Sequence, residues 1–373
     1  MIVPRSASSG PARHKTVVIA DDSAVVRGLF ARWLGEAGQF NVVAVAGDGE
    51  TALAHAGRFK PDVLVLDLDM PGVDGPSALP RILRESPHTS ILLAATLNER
   101  NTRLALECMT KGAMDVVSKP DSRAGMTLSL DFRSEFLLKL GNIAQSAPQP
   151  GTLPPEVELD WTHGPANLRP LVWSMPRYLL IGASTGGPRA VARVLFDIGD
   201  ALAEITTLVV QHMPPLFTAS FAEQMTSHVG VPAREPFDGE RLARGTIYIA
   251  PGGRHLGIDR RLGHLVAAVS DGPPVNFCRP AVDVLFSDAA RHLGAAALGL
   301  VLTGMGSDGT DGTGGAGALR RAGAAVIAQD EQSSTIWGMP GSIVRARHAS
   351  AVTPLDEIGG AIRALLRGGA PLA

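Results

Sequence analysis

Cysteine is scarce: Cys108 and Cys278 are the only two in 373 residues. They lie too far apart in the chain to suggest a disulfide framework, and neither has a partner at metal-ligand spacing. Such usage suits a reducing compartment, so the expected location is the cytoplasm. Long apolar runs are lacking as well. No stretch of about 18 uninterrupted apolar residues occurs, and the first fifteen residues, with their Pro, Ser and Gly, have no apolar core of the kind a leader needs. Neither a signal peptide nor direct membrane insertion is expected. Charge of one sign is also missing. A formal net charge of -2 gives no electrostatic case for nucleic acid, and no basic recognition helix or helix-turn-helix spacing is found.

What remains is a globular composition, 45% hydrophobic and 19% charged, on a chain long enough for two ordinary domains. From Thr16 to Asn142, short apolar runs alternate with amphipathic segments, the pattern of a parallel sheet covered by helices. The strands are expected at Thr16–Ala20, Phe40–Val45, Val63–Leu66, Ile91–Ala95 and Asp115–Ser118. Helices fall near Ala24–Leu34, Gly49–Phe59, Ser77–Arg84, Asn98–Lys111 and Leu128–Ile143. A proline-rich stretch with little periodicity, 146–176, reads as a linker. A second alternation begins at Tyr178–Gly182, with further strands at Thr207–Val210, Thr246–Ile249, Ala297–Leu302 and Ala325–Ala328. Its helices fall near Phe217–Ser227, Ala281–His292, Gly315–Ala322 and Leu355–Leu366. The fold class is therefore α/β twice over: an N-terminal (βα)5 unit with a parallel sheet, linked to a doubly wound domain with a mostly parallel sheet.

Parallel sheets bind ligands at the carboxyl edge of their strands. In the first unit Asp21 and Asp22 follow the first strand, Asp67 the third, Thr96 the fourth and Lys119-Pro120 the fifth. Three carboxylates meeting there repel one another unless a hard divalent cation such as Mg²⁺ lies among them. Asp67 then has the surroundings of a nucleophile toward a phosphoryl donor, with the Thr96 hydroxyl and the Lys119 ammonium available to phosphoryl oxygens. The stretches IADDSAVVR, VLDLDMPGVDG, AAT and SKP make residues 14–145 resemble the receiver domain of two-component response regulators. That resemblance implies Asp67 as phosphoacceptor, with Asp21, Asp22, Asp67 and the backbone carbonyl of Asp69 around Mg²⁺, and a histidine kinase as phosphodonor. Receivers often carry Tyr or Phe three residues before the lysine; here Val116 takes that place.

In the second unit Ser184 stands in Ile181-Gly182-Ala183-Ser184-Thr185-Gly186-Gly187, a strand-to-helix turn that suits a nucleophile and, nearly as well, a phosphate-binding loop. His212 ends the next strand. A dinucleotide-binding domain would favour an acid there, whereas histidine suits a base. Asp308, in the glycine-rich loop Leu302-Thr303-Gly304-Met305-Gly306-Ser307-Asp308-Gly309, is placed to orient an imidazole, with Asp311 as a second possibility. Cys278 reads as a small buried apolar residue, because no histidine-bearing motif is tied to it, and His255 reads as a structural or groove histidine rather than a catalytic one.

These stretches, with YIAPGGRHL, SDGPPVNFCRPAVDVLF and IAQDEQSSTIWGMP, closely resemble the catalytic domain of chemotaxis protein-glutamate methylesterases, here assigned to 177–370. The receiver–linker–esterase order of the whole chain matches that family. The resemblance implies Ser184 as nucleophile, His212 as general base and acid, and Asp308 as the orienting acid, with Thr185 and the Met305–Gly306 backbone supporting the oxyanion. It implies a glutamyl γ-methyl ester on a methyl-accepting chemoreceptor as substrate, glutamine deamidation as a second activity, and no cofactor for the esterase. The competing reading is a phosphorylation-dependent binding module whose glycine-rich turn cradles an unreactive partner.

Overall fold

The computed structural model describes residues 14–96, 98–119, 130–146, 175–310 and 314–368. Pro120, Asp311 and 147–174 of the proline-rich stretch lie outside them. Contacts gather the chain into two compact units.

The first unit holds five strands, β1 (Lys15–Ala20), β2 (Phe40–Ala46), β3 (Val63–Asp67), β4 (Ser90–Thr96) and β5 (Asp115–Lys119). In the chain they alternate with α1 (Ala24–Ala37), α2 (Gly49–Phe59), α3 (Gly75–Glu85), α4 (Glu99–Thr110) and α5 (Leu130–Ser146), of which α4, with the rest of 96–115, is grouped by contacts with the second unit. Polar residues set the helix starts. Ser23, Asp48, Asp74 and Asn98 each accept, through the side chain, the N–H of the residue three places on. Val17–Ala20 and Val63–Leu66 are wholly buried, so both faces of these strands are covered and their apolar runs are continuous rather than alternating. The strand order β2-β1-β3-β4-β5 sets β1 beside β3, with Ala20 opposite Leu66. The residues that follow these two positions are Asp21 and Asp67. Phe30, Trp33, Phe132 and Phe136 form an aromatic cluster between α1 and α5.

The second unit contains β6 (Tyr178–Ala183), β7 (Thr206–Gln211), β8 (Ala233–Arg234), β9 (Thr246–Ile249), β10 (His255–Arg261), β11 (His264–Ser270), β12 (Ala297–Val301), β13 (Ala325–Gln329) and β14 (Ala351–Thr353). Its helices are α6 (Gly187–Ile198), α7 (Pro215–Val229), α8 (Val282–His292), α9 (Gly315–Arg321), α10 (Gly338–Arg345) and α11 (Leu355–Leu366). Seven strands run parallel in the order β14-β13-β12-β6-β7-β9-β8. Leu180, Leu208, Val210, Tyr248 and Val326 join α8, α9, α10 and the β10–β11 ribbon in one core. Their strand neighbours Leu179, Val209, Ile247 and Ile327 are equally buried and, by the period of two, face the other side, so this sheet too is covered twice.

The parallel α/β class is as the sequence implies, but four strands and one helix of the second unit were not expected. The antiparallel ribbon β10–β11 is one such element, because the half-buried Asp259 and the exposed Arg260 and Arg261 end its first strand and make it look like a loop. Helix α10, GMPGSIVR, carries two glycines and a proline, which punctuate loops more often than helices. β8 and β14 are only two and three residues long. No helix among the described residues is long and apolar enough to cross a membrane.

Candidate active site and acidic pocket

β12, β6 and β7 are adjacent, and a loop leaves the carboxyl end of each. Ser184 follows β6. Its N–H donates to the Thr303 carbonyl at 3.1 Å, and its own carbonyl accepts from the Gly187 N–H at 2.7 Å and from Gln211 Nε2 at 2.8 Å. The chain then reverses into α6 through Gly186, whose φ of 76° is readily adopted only without a side chain. The loop after β12 comes up against this turn. A Cβ added at Gly304 would lie 2.8 Å from Ser184 Cβ and 3.0 Å from its nitrogen.

His212 follows β7, with its N–H on the Ala183 carbonyl at 3.1 Å. Its ring Nε2 lies 2.9 Å from Asp308 Oδ2, and its Nδ1 lies 3.8 Å from Cys278 Sγ. Among the described residues, no hydrogen bond joins His212 to Ser184. Burial works against a charged ring, but the hydrogen bonds to Asp308 and Cys278 outweigh it and lift the pKa above 6.5. Asp308 is almost wholly buried and fully engaged. Oδ2 also accepts the Val282 N–H at 2.6 Å, and Oδ1 accepts the Asp283 N–H at 3.0 Å. These are the first two residues of α8, whose preceding residue Ala281 has no side chain to cap them. Asp308 supplies that cap from across the chain while it holds the imidazole.

Thr185 is buried beside Ser184, with its carbonyl accepting the Thr303 hydroxyl at 3.0 Å. Met305 and Gly306 lie in the facing turn, where Gly306 has φ 84°. His255 is buried, with Nε2 3.0 Å from the Pro273 carbonyl, as a structural histidine would be.

In the first unit, donor atoms of Asp21, Asp22 and Asp67 lie within 4.8 Å of one another. Lys119 Nζ bridges Asp67 Oδ1 at 2.7 Å and Asp21 Oδ2 at 3.1 Å. Burial, helped by Asp21, pushes the Asp67 carboxyl up to about 6 against the pull of Lys119. Lys119 itself is held above its ordinary value: burial opposes its charge, and Asp67 and Asp21 outweigh burial. Asp67 Oδ2 is buried with no hydrogen-bond partner, which leaves a ligand oxygen aimed into an all-oxygen donor set, as a hard divalent cation requires. Thr96 ends β4, and its carbonyl accepts from Asn101 Nδ2 at 3.2 Å. Val116 is buried in β5.

Residues 179–362 match the model of the CheB methylesterase family, and residues 17–130 match that of the response regulator receiver domain. A protein-glutamate methylesterase/protein-glutamine glutaminase of Rhodopseudomonas palustris is 40% identical over 356 residues, covering 92% of each chain. Its counterpart of the group 2 operon in Bradyrhizobium diazoefficiens is 38% identical over 387 residues, covering 97% of this chain and 96% of the relative. The chain belongs to the protein-glutamate methylesterase/protein-glutamine glutaminase family. The crystal structure of the Thermotoga maritima CheB methylesterase catalytic domain is 35% identical and covers 51% of this chain and 98% of that one, with a TM-score of 0.48.

Several groups that hold the site of this methylesterase-family chain together escaped the sequence reading. Thr303 receives the Ser184 N–H, its own N–H goes to Gln329 Oε1 at 2.8 Å, and Gln211 clamps the Ser184 carbonyl. Cys278, expected to be a small buried apolar residue, is only half-buried. It lies 66 residues from His212 in sequence, and the turn Val275–Cys278 brings its sulfur onto the ring. Only the fold brings the two together.

Proposed function

We propose that this chain hydrolyses γ-methyl esters of glutamate side chains on methyl-accepting chemoreceptors, releases methanol, and deamidates receptor glutamines by the same chemistry. Residues 177–370 form the hydrolase, 14–145 the receiver that controls it and 146–176 the linker; the chain works in the cytoplasm. The observation that carries this reading is the His212–Asp308 pair at the carboxyl ends of the strands flanking the Ser184 turn.

Asp308 occupies Nε2, so Nδ1 is the ring nitrogen that handles protons. His212 takes the Ser184 proton at Nδ1 as Oγ bonds to the ester carbonyl carbon, then gives that proton to the departing methoxy oxygen. Water attacks the acyl-enzyme in the same way, its proton passing through Nδ1 back to Ser184 Oγ. Asp308 keeps the ring oriented and stabilises the imidazolium. The Thr185 and Met305–Gly306 backbone N–H groups are assigned to the oxyanion, each contributing roughly 2.7–4 kcal/mol in the transition state.

In the receiver, Asp67 accepts a phosphoryl group from a histidine kinase, and Lys119 and Thr96 hold its oxygens. Asp21, Asp22, Asp67 and the Asp69 carbonyl would hold Mg²⁺, which when bound neutralises charge on the transferring group. Phosphorylation relieves an inhibition that the receiver imposes on the esterase. The reading is tested by incubating the protein with chemoreceptors carrying labelled methyl esters, with and without a small-molecule phosphodonor. Labelled methanol should appear, faster with the donor; no methanol above the enzyme-free control overturns the proposal.

A further inference from the structure

The turn that carries Cys278 is tightly built. Val275 and Cys278 exchange both backbone hydrogen bonds, at 3.0 and 2.8 Å, around Asn276 and Phe277, which have φ of 52° and 63°. Two successive left-handed residues make a turn that favours asparagine and glycine, so Asn276 suits its place and Phe277 does not. A bulky side chain at positive φ is strained and persists only where the surroundings impose that backbone. Here they do. Asn276 Nδ2 donates to Asp283 Oδ2 at 2.8 Å, Asp283 Oδ1 accepts the Gly315 N–H at 2.5 Å, and the Asp283 N–H goes to Asp308. The turn is thereby tied to the residue that orients the catalytic base. Nothing in the fold covers Phe277 in return: it is fully exposed, the most exposed large hydrophobic side chain among the described residues.

We propose that Phe277 is a specificity residue of the hydrolase, an apolar post against which the helical receptor segment flanking the target glutamate packs. Its place in the chain carries this. Cys278 Sγ lies 3.8 Å from His212 Nδ1, and Phe277 is a single Cα step of about 3.8 Å further along the chain. A polypeptide that brings a side-chain ester to His212 and Ser184 therefore passes beside the Phe277 ring. On a helix, the side chains three and four residues from the target glutamate share its face, about 5.4 Å along the axis, and an apolar one there covers the ring. An aromatic ring buried in this way adds contact area with no polar group to desolvate. Charge points to the same partner. Arg279, exposed on the other side of Cys278, places Nη1 on the carbonyls of Asp271 and Gly272 at 3.5 and 3.1 Å, while the Asp271 carboxylate is taken by Arg254 at 2.7 Å. Two cations thus stand against one carboxylate, which suits a helix on which each turnover leaves a further glutamate. The identity of the occupant rests on the receptor being the substrate; the exposed post beside the base does not.

The experiment compares two substrates on the full chain with phosphodonor: methylated receptors, and N-acetylglutamate γ-methyl ester, which has no flanking segment. Phe277→Asn and Phe277→Gly suit the left-handed backbone and so keep the turn. In both, KM for the receptor should rise about tenfold or more with kcat changed less than about twofold, and the small ester should be hydrolysed as by the wild type. Phe277→Tyr, which keeps the ring, should restore the receptor KM. An unchanged receptor KM in both variants, or an equal loss on the small ester, overturns the proposal. A second measurement is independent of hydrolysis. With p-benzoylphenylalanine placed at position 277, irradiation should crosslink the chain to receptor residues within about two helical turns of a methylated glutamate. Crosslinks to lipid alone, or to no part of that helix, overturn the contact. Crosslinks at that place from a protein that releases no methanol uphold the contact and instead contradict the hydrolase reading.

Discussion

Asp308 Oδ2 accepts two hydrogen bonds at once, from His212 Nε2 at 2.9 Å and from the Val282 N–H at 2.6 Å, so one carboxylate both orients an imidazole and caps α8. Asp308→Asn should therefore damage two things. The amide either presents an N–H to a donor or leaves the ring in the wrong tautomer, and kcat should fall by about 10²–10⁴-fold. Thermal unfolding should also show a loss of about 1–3 kcal/mol, because buried helix N–H groups lose an acceptor. Unchanged stability with unchanged kcat would remove Asp308 from both roles.

Gly304→Ala tests how closely the two glycine-rich loops must meet. The new methyl would lie 2.5 Å from Met339 Sδ and 2.8 Å from Ser184 Cβ. The methionine can move aside, but the serine sits on a turn pinned by Thr303 and Gln211. A displacement of about 1 Å at the reacting atom costs about 10²-fold, so kcat should fall by one to two orders of magnitude in a folded protein. Full activity would mean that the serine turn tolerates displacement.

The pH profile follows from the surroundings of His212. Its pKa is lifted above 6.5, so the neutral ring that can accept the Ser184 proton becomes available only above that value. The rate on a small ester should rise with pH through a midpoint above 6.5, and Cys278→Ala, which removes one of the groups favouring the proton, should lower that midpoint. The same shift contributes stability that is complete below about 6.5 and is lost as pH rises through the folded value. A midpoint at or below 6.5 contradicts the arrangement.

Much of this was legible in the sequence, because strands covered on both faces leave continuous apolar runs and the residue after each run falls at one edge. Asp21, Asp67 and Lys119 could be placed together in this way, as could His212 and Asp308. The contacts that could not be read join distant segments through ordinary residues. Thr303 under Ser184, Gln211 on the Ser184 carbonyl and Cys278 on His212 have no local signature, since their neighbours are set by strand order and loop closure. The ribbon β10–β11 and helix α10 were hidden by charges at a strand end and by glycine and proline in a helix.

Control by the receiver is tested through Asp67. Asp67→Asn should take up no phosphoryl group, and the wild type should lose uptake in chelator. A fragment beginning at Pro176 should demethylate receptors faster than the unphosphorylated full chain, by one to two orders of magnitude, since a complete shift would need about 5.5 kcal/mol of differential stabilisation. A fragment no faster than the full chain would leave the receiver a role in delivering the enzyme rather than restraining it.

The most direct test of the account is methanol release from methylated chemoreceptors by Ser184→Ala, measured on the phosphorylated full chain. The serine makes its backbone contacts through N–H and carbonyl, so the variant should keep the fold and the His212–Asp308 pair. Release should drop to the residual level left by the remaining site, several orders of magnitude below wild type. Turnover near that of the wild type would contradict the serine mechanism.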